Sequence, residues 1–296
     1  MIIDFRYHIA SLVAVFLALG IGVLIGSTML GNTSIIDTQK QLTDNLSQQM
    51  QELREQNKAV ETRSNSLETN NNILKEFGED VLPLLVANRL TGQKIALIQT
   101  NNLSIPNNLK TVLQTAGAKI NSVTTIIDGF DLSDDKLLPN TLNVTPDADR
   151  HKIVQSLSHA VAQGILLGQN NEIINSLTEK GFIKVEGNYG LPVNAIIIIG
   201  GSKDNQTVKL ADIDFPIIRF FIDNNISIYG VEESDIVYSY MKDYQKNRIS
   251  TVDNINTIPG KLALVLAIQG HPGNYGIKDT AQSLLPPLGV AENAVK

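Results

Sequence analysis

The chain of 296 residues contains no cysteine. This absence excludes disulfide bonds, thiolate metal ligands and a cysteine nucleophile. Positive charge is also in short supply, and a net charge of −6 argues against nucleic-acid binding. The sequence has no G-x-G-x-x-G, no G-x-x-x-x-G-K-[ST] and no G-x-S-x-G. Common nucleotide-binding and hydrolase signatures are therefore missing.

Charged side chains are absent from residues 9–36. The apolar segment 9–30 would extend about 33 Å as a helix, enough to cross a hydrocarbon core of about 30 Å. A cleaved signal peptide is the alternative, but its apolar region would be shorter and an A-x-A cleavage site would follow. No such site follows here. We predict an uncleaved transmembrane signal anchor over residues 1–32.

One face of this segment carries a small residue at every fourth position. Such a face allows two helix backbones to approach closely, and its last pair forms a G-x-x-x-G. We therefore predict that it contributes to a homodimer. The positions are Ala10, Ala14, Ala18, Gly22 and Gly26.

The charges that flank the segment give a bias in orientation. Arg6, the terminal amine and His8 precede it, partly offset by Asp4, whereas Asp37, Lys40, Asp44 and Glu52 follow it. The positive-inside rule then predicts a single-pass protein of the cell membrane, with a cytoplasmic N-terminus and an extracytoplasmic body.

A heptad repeat from Leu46 to Leu74 follows the membrane segment, within the stretch 33–90. Residues 33–77 contain neither proline nor glycine, and asparagines fall at a positions of the repeat, which favours two strands in register. A helix folded back on the body is the alternative, but it would show a broader apolar face. We predict a coiled-coil stalk, paired through its d positions Leu46, Leu53, Val60, Leu67 and Leu74.

Short apolar runs alternate with helical patterns in residues 91–270, and a tail at 271–296 reads as irregular. This alternation predicts an α/β fold, a Rossmann-like domain with a mostly parallel sheet. The predicted strands are 94–100, 118–127, 183–185, 195–199, 226–231 and an edge strand at 249–252. The predicted helices are 106–116, 149–167, 172–180, 212–224, 234–246 and 259–268.

Few residues of the body suggest chemistry. Gly200-Gly201-Ser202 follows the buried run AIIII, where a ligand could meet strand ends, although a turn explains the glycines equally. Solvated or core positions account better for the histidines than a metal site does, and the acidic cluster DGFDLSDD does not match a calcium loop. The glycines of Gly273-Asn274-Tyr275-Gly276 suit backbone turns. The four histidines are His8, His151, His159 and His271, and the acidic residues are Asp128, Asp131, Asp134 and Asp135.

The N-terminal block DFRYHIASLVAVFLALGIGVLIGS, residues 4–27, resembles the start of the MctB-like family of copper transport proteins. PGKLALVLAIQG (259–270) and GNYG are similar to the family's C-terminal portion. The resemblance implies a membrane helix, a coiled coil and an α/β body in a bacterial envelope protein. It transfers no copper ligand to this chain, so the metal site is unknown and no cofactor is predicted, with copper implied by resemblance alone.

Two functions follow from the resemblance. One is a copper transport or homeostasis protein of the envelope; the other, from a SteB-like branch, is a dimeric partner of the membrane protein SteA in cell division. The sequence of the body shows no catalytic constellation, so we predict a non-enzymatic homodimeric scaffold. We expect its partner to be a SteA-like or other envelope protein and not a nucleic acid. Copper handling is the alternative, and a ligand-binding or enzymatic domain at the Gly200 turn is a third hypothesis.

Overall fold

The computed structural model contains a long N-terminal helix and a seven-stranded α/β body. The chain divides into two units, Met1–Ile73 and Leu74–Lys296. The structure describes residues 5–101, 103–130, 149–205 and 209–287, with only the backbone described at 30–34. This architecture confirms the predicted fold class.

Helix α1 extends without interruption over Phe5–Val86. Within it, Phe5–Met29 is long and apolar enough to cross a membrane, and no part of its most apolar window is buried. A core helix of a soluble protein would be mostly covered, so the exposure is typical of a segment that meets lipid or a signal sequence. The heptad d positions that follow are also exposed, as a surface that awaits a partner would be.

The predicted boundary of the stalk at residue 90 differs from the division of the chain, which falls between Ile73 and Leu74. The last turns of α1 belong to the body because Leu82 and Val86 are buried in its core, as is Leu90 in the turn that follows. The sequence pattern could not separate these residues from the stalk, since both stretches are helical.

The body is built on one sheet in the order β3-β2-β1-β4-β5-β6-β7. All neighbouring strands are parallel except β3, which pairs antiparallel with β2 at one edge. The strands are β1 Lys94–Gln99, β2 Lys119–Ile126, β3 Ile183–Gly187, β4 Ala195–Ile199, β5 Ser227–Val231, β6 Ser250–Val252 and β7 Asn274–Tyr275.

Helices cover both faces of the sheet. The last turns of α1 pack on one face with α2 (Leu109–Thr115) and α7 (Ile258–Gln269). Side chains of α3 through α6 pack on the other face. These helices are α3 Arg150–Leu167, α4 Asn171–Glu179, α5 Phe215–Asp223 and α6 Met241–Lys246, with a π-helical turn, Leu210–Asp214, before α5.

The apolar composition of the central strand β4 follows from its burial on both faces. Ile196 and Ile198 point into the core on one face, whereas Ile197 and Ile199 point into the core on the other. A strand buried on both faces reads as a continuous apolar run, as predicted for AIIII.

Two elements differ from the sequence prediction. The helix predicted at 234–246 forms only over Met241–Lys246, because residues before it are held by contacts to Glu232 and by a bridge between Ser202 and Tyr238. Strand β6 is not the edge, since β7 pairs with it. The tail after residue 270 is therefore not wholly irregular.

Gly230 of β5 tests how tightly the body is packed. An added Cβ atom would overlap the ring of Tyr244, which is fully buried and cannot retreat. We expect Gly230→Ala to lower the free energy of unfolding by about 1–3 kcal/mol, as overpacking does. Urea unfolding of the detergent-solubilised protein measures the change, with Gln114→Ala on the exposed face of α2 as control. Equal stabilities of both variants and the wild type would contradict the packing described.

Candidate functional site

The strand order creates a topological switch point between β1 and β4. From β1 the chain moves outward to β2 and β3, and it then returns to β4 on the other side of β1. In open α/β sheets, ligands bind outside the carboxyl ends of the strands at such a point. The hypothetical ligand site at Gly200-Gly201-Ser202 falls in this position, so the packing there decides whether a ligand has room.

The chain's own side chains contact both glycines of the switch point. Asn101 Nδ2 donates to the carbonyl oxygens of Gly200 at 2.8 Å and Gly201 at 3.2 Å. Tyr244 packs against Gly200, where a Cβ atom would overlap its hydroxyl, and Gly201 adopts φ +81° beside Glu232. The two glycines therefore serve close packing and a turn, which favours the turn interpretation over a ligand site.

Asp214 lies beside this point, at the end of the π-helical turn, and is 1% exposed. Its Oδ1 accepts hydrogen bonds from Thr100 Oγ1 at 2.9 Å and from the hydroxyl of Tyr244. Burial raises the pKa of Asp214 to about 7, more than the two hydrogen bonds lower it. A carboxyl group that titrates near neutrality thus joins β1, α5 and α6.

Glu232 follows β5 and is fully buried. Its Oε1 accepts from Ser239 Oγ at 2.6 Å and from Lys278 Nζ at 2.7 Å, while Oε2 accepts from the backbone N–H of Tyr240 at 3.0 Å. A buried carboxylate needs a partner charge and hydrogen bonds to offset its desolvation. Glu232 receives both, and in return it fixes the loop before α6.

The segment 276–285, here called the C-terminal strap, is held at the same end of the sheet. Asp253, buried after β6, accepts from the backbone N–H groups of Ile277 at 2.7 Å and Lys278 at 3.0 Å. Gly276 adopts φ +141°, and a Cβ atom there would overlap the Asp253 carboxylate. The strap is therefore attached by two buried carboxylates, those of Glu232 and Asp253.

These contacts define what the polar cluster can do. The carboxylate oxygens of Glu232 and Asp253 accept hydrogen bonds from donors of this chain, and these bonds hold the loop and the strap in place. The cluster is an internal ionic and hydrogen-bonded network that is typical of a structural role. The expectation that the protein is not an enzyme stays a prediction.

The histidines of the body engage different partners. His151 Nδ1 lies 2.7 Å from Asp212 Oδ2, and this hydrogen bond and charge raise the pKa of His151. His159 packs edge-on against Phe220, with ring centroids 5.1 Å apart. Both side chains are exposed, His151 in an ion pair and His159 beside an aromatic ring.

Copper donors are dispersed in the described part of the chain. It has no group of three or more His, Asp, Glu or Cys residues that could hold a metal ion. Of the methionines, Met241 is buried in the body, whereas Met29 and Met50 are exposed on α1.

Two further motifs have different outcomes. Asp131, Asp134 and Asp135 of the acidic cluster lie outside the described residues. Asn274 and Tyr275 form β7, and the glycine after them makes the turn into the strap, which confirms the backbone interpretation of this loop.

The residues predicted to dimerise lie on α1. Nothing within 4 Å would meet a Cβ atom at Gly22 or Gly26. The d positions are equally open, with side chains 51–67% exposed. Pairing with a second copy stays a prediction for all of them: Ala14, Ala18, Gly22, Gly26, Leu46, Leu53, Val60, Leu67 and Leu74.

Sequence reasoning missed Asp214, Glu232 and Lys278. A usable signal existed for Glu232, because it directly follows the apolar strand SIYGV, at the end of a parallel strand where polar residues gather. Lys278 gave no signal, since its role depends on the strap crossing the sheet more than forty residues later in the chain.

Known proteins are similar to this chain along nearly its whole length, from the apolar N-terminal helix to the α/β body. A family model described as copper transport outer membrane protein, MctB, matches residues 2–286. The copper transporter MctB of Mycobacterium leprae is 28% identical over 328 residues, covering 96% of this chain and 99% of the relative. The chain belongs to the MctB family, which confirms the resemblance in its sequence and indicates a membrane-anchored envelope protein.

The raised pKa of Asp214 predicts a pH-dependent stability. The ordinary carboxyl pKa is 3.8, and the folded value is about 7, so the folded state holds the proton more tightly. Stability therefore falls as the pH rises from about 4 to about 7. We expect the free energy of unfolding of Asp214→Asn to equal that of the wild type at about pH 5. At about pH 8 it should exceed the wild-type value, because the asparagine never carries the buried charge.

Urea unfolding at the two pH values measures this effect, with the exposed Asp223→Asn as a matched control. A wild-type stability that does not change over this range, together with no gain in Asp214→Asn, would show that Asp214 is ionised at no cost.

Proposed function

We propose that this chain is a membrane-anchored envelope protein that acts in copper transport or copper homeostasis. The observation that carries the proposal is the extent of the family match, which includes the apolar helix, the long helix and the body. The Mycobacterium leprae relative, named a copper transporter, aligns over nearly its whole length as well. A shared domain alone would carry less weight, since folds host many functions.

The proposed topology is single-pass, with the N-terminus in the cytoplasm and the body outside. Arg6 and the terminal amine lie directly before the apolar helix, whereas Lys40 is the first basic residue after it, so the positive-inside rule favours a cytoplasmic N-terminus. An apolar α-helix satisfies its own backbone hydrogen bonds in lipid and so can serve as the anchor.

The proposed mode of action is binding without catalysis. The buried carboxylates Glu232 and Asp253 accept hydrogen bonds from donors of the same chain. At the switch point, Asn101 and Tyr244 contact Gly200. These contacts support a body that presents a stable surface to a partner or to the copper-handling machinery.

A second candidate function is a homodimeric scaffold in envelope assembly or cell division, with a SteA-like membrane protein as partner. The exposed heptad seam of α1 favours it, because a polar helix keeps a narrow apolar stripe in water only at a cost that a second helix removes. A homodimer is compatible with both candidates.

Loss of the chain from its native host separates the two candidates. For the copper role, we expect lower tolerance to excess copper and an altered cell copper content, both restored by the wild-type chain, with zinc tolerance as the control. Unchanged copper tolerance and content, with filamentous or misdivided cells, would contradict the copper role and support the scaffold.

Single cysteines test the dimer without interference, because the chain has none of its own. Leu53→Cys and Leu67→Cys occupy d positions and should form disulfide-linked dimers in membranes, since paired d residues face each other. Glu55→Cys, at the outer f position of the same helix, is the control and should give far less. Equal cross-linking at all three positions, or none, would contradict the seam.

A further inference from the structure

Among the described methionines, the exposed thioethers lie on α1. Cu(I) prefers thiolate and thioether ligands, and the chain has no thiolate. Met29 is 74% exposed and Met50 is 45% exposed, whereas Met241 is buried. Met29 ends the apolar segment that is long enough to cross a membrane, so Met50 is the described thioether that the stalk presents to water.

Met50 lies in the heptad repeat of the stalk. Leu46 and Leu53 are successive d positions, and Met50 is the a position between them. A strict seven-residue spacing keeps such residues on one seam when two helices supercoil. One copy of the chain therefore holds the Met50 thioether alone, at the surface where a second copy would pair.

A second copy of this chain is the occupant that the seam fits. Two copies anchored at their N-termini in one membrane must run parallel. Asn57 at an a position favours two strands in register. In that register Arg63 at g lies opposite Glu68 at e of the other copy, so the flanking charges attract. Each a residue then faces its own counterpart.

We propose that a parallel homodimer binds Cu(I) between the Met50 thioethers of its two copies. The proposal rests on the copper role and the dimer proposed above. Copper here is cargo: the ion is bound as Cu(I) and no electron is transferred. One copy presents a single Met50 thioether, and a second copy supplies the other.

Thioether binding has a signature of its own. A thioether has no proton to lose, so affinity for Cu(I) should be unchanged between about pH 5 and about pH 8, whereas histidine ligands would lose affinity as they protonate. Thioethers also discriminate against Zn²⁺ and Cu(II), which prefer imidazole.

Anaerobic titration of the full-length protein in detergent micelles with Cu(I), against a chromophoric competitor, tests the proposal. We expect one Cu(I) per dimer in the wild type, sulfur ligands in the X-ray absorption spectrum, and no change with pH. Met50→Leu conserves volume and should remove this Cu(I), while Met241→Leu should remove none. Unchanged capacity in Met50→Leu, or nitrogen and oxygen ligands alone, would overturn the site.

Cross-linking distinguishes failure of the site from failure of the dimer. Leu67→Cys dimers that form equally in the wild-type and Met50→Leu backgrounds, without a loss of Cu(I), would retain the dimer and refute the site. Failure of Leu67→Cys to cross-link would refute the dimer and the site together. Copper tolerance of cells carrying Met50→Leu reports on the copper role separately, since tolerance equal to wild type alongside lost Cu(I) binding would refute a role of this site in the cell.

Discussion

Burial of the Glu232 carboxylate at the end of β5 is the constraint on which the end of the body depends. A fully buried carboxylate is tolerated only with a partner charge and several donors, and these come from the loop before α6 and from Lys278. The same lysine supplies a backbone N–H to Asp253, so the two carboxylates share one segment. Loop, strap and strand β7 are therefore coupled parts of one network, not independent coverings of the sheet.

That coupling changes how the α/β fold should be interpreted. A switch point between β1 and β4 is a common position for a bound nucleotide, and two glycines after a buried strand are compatible with such a site. In this body, Asn101 joins the ends of β1 and β4, and Tyr244 packs directly against Gly200. Tyr244 in turn is tied to Asp214, whose burial raises its pKa to about 7. The fold is shared with ligand-binding proteins, but the residues at its functional position are used to stabilise it.

The sequence was sufficient for elements whose signal is local. Strand β4 forms where five apolar residues demand burial on two faces, and α7 begins beside Pro259 and ends at Gly270, as the turn chemistry requires. It was insufficient where distant contacts prevail. Residues 234–240 have helical character but follow the contacts to Glu232, and β7 forms because Thr251 Oγ1 donates to Asn274 Oδ1 at 2.9 Å beside it. Asp214 looked like an ordinary polar residue near Pro216, and only the fold reveals its burial.

The candidate site was hardest to derive because the two halves of the chain carry different kinds of information. The body encodes its contacts over long separations, and its polar groups are spent on one another. The stalk part of helix α1 encodes its contacts in a heptad repeat, and its apolar d residues and Met50 are exposed. Donors that form a cluster can be recognised within one folded copy. A donor placed in a repeat is instead matched by its counterpart in a second copy, which is how this chain would pair soft ligands along a seam.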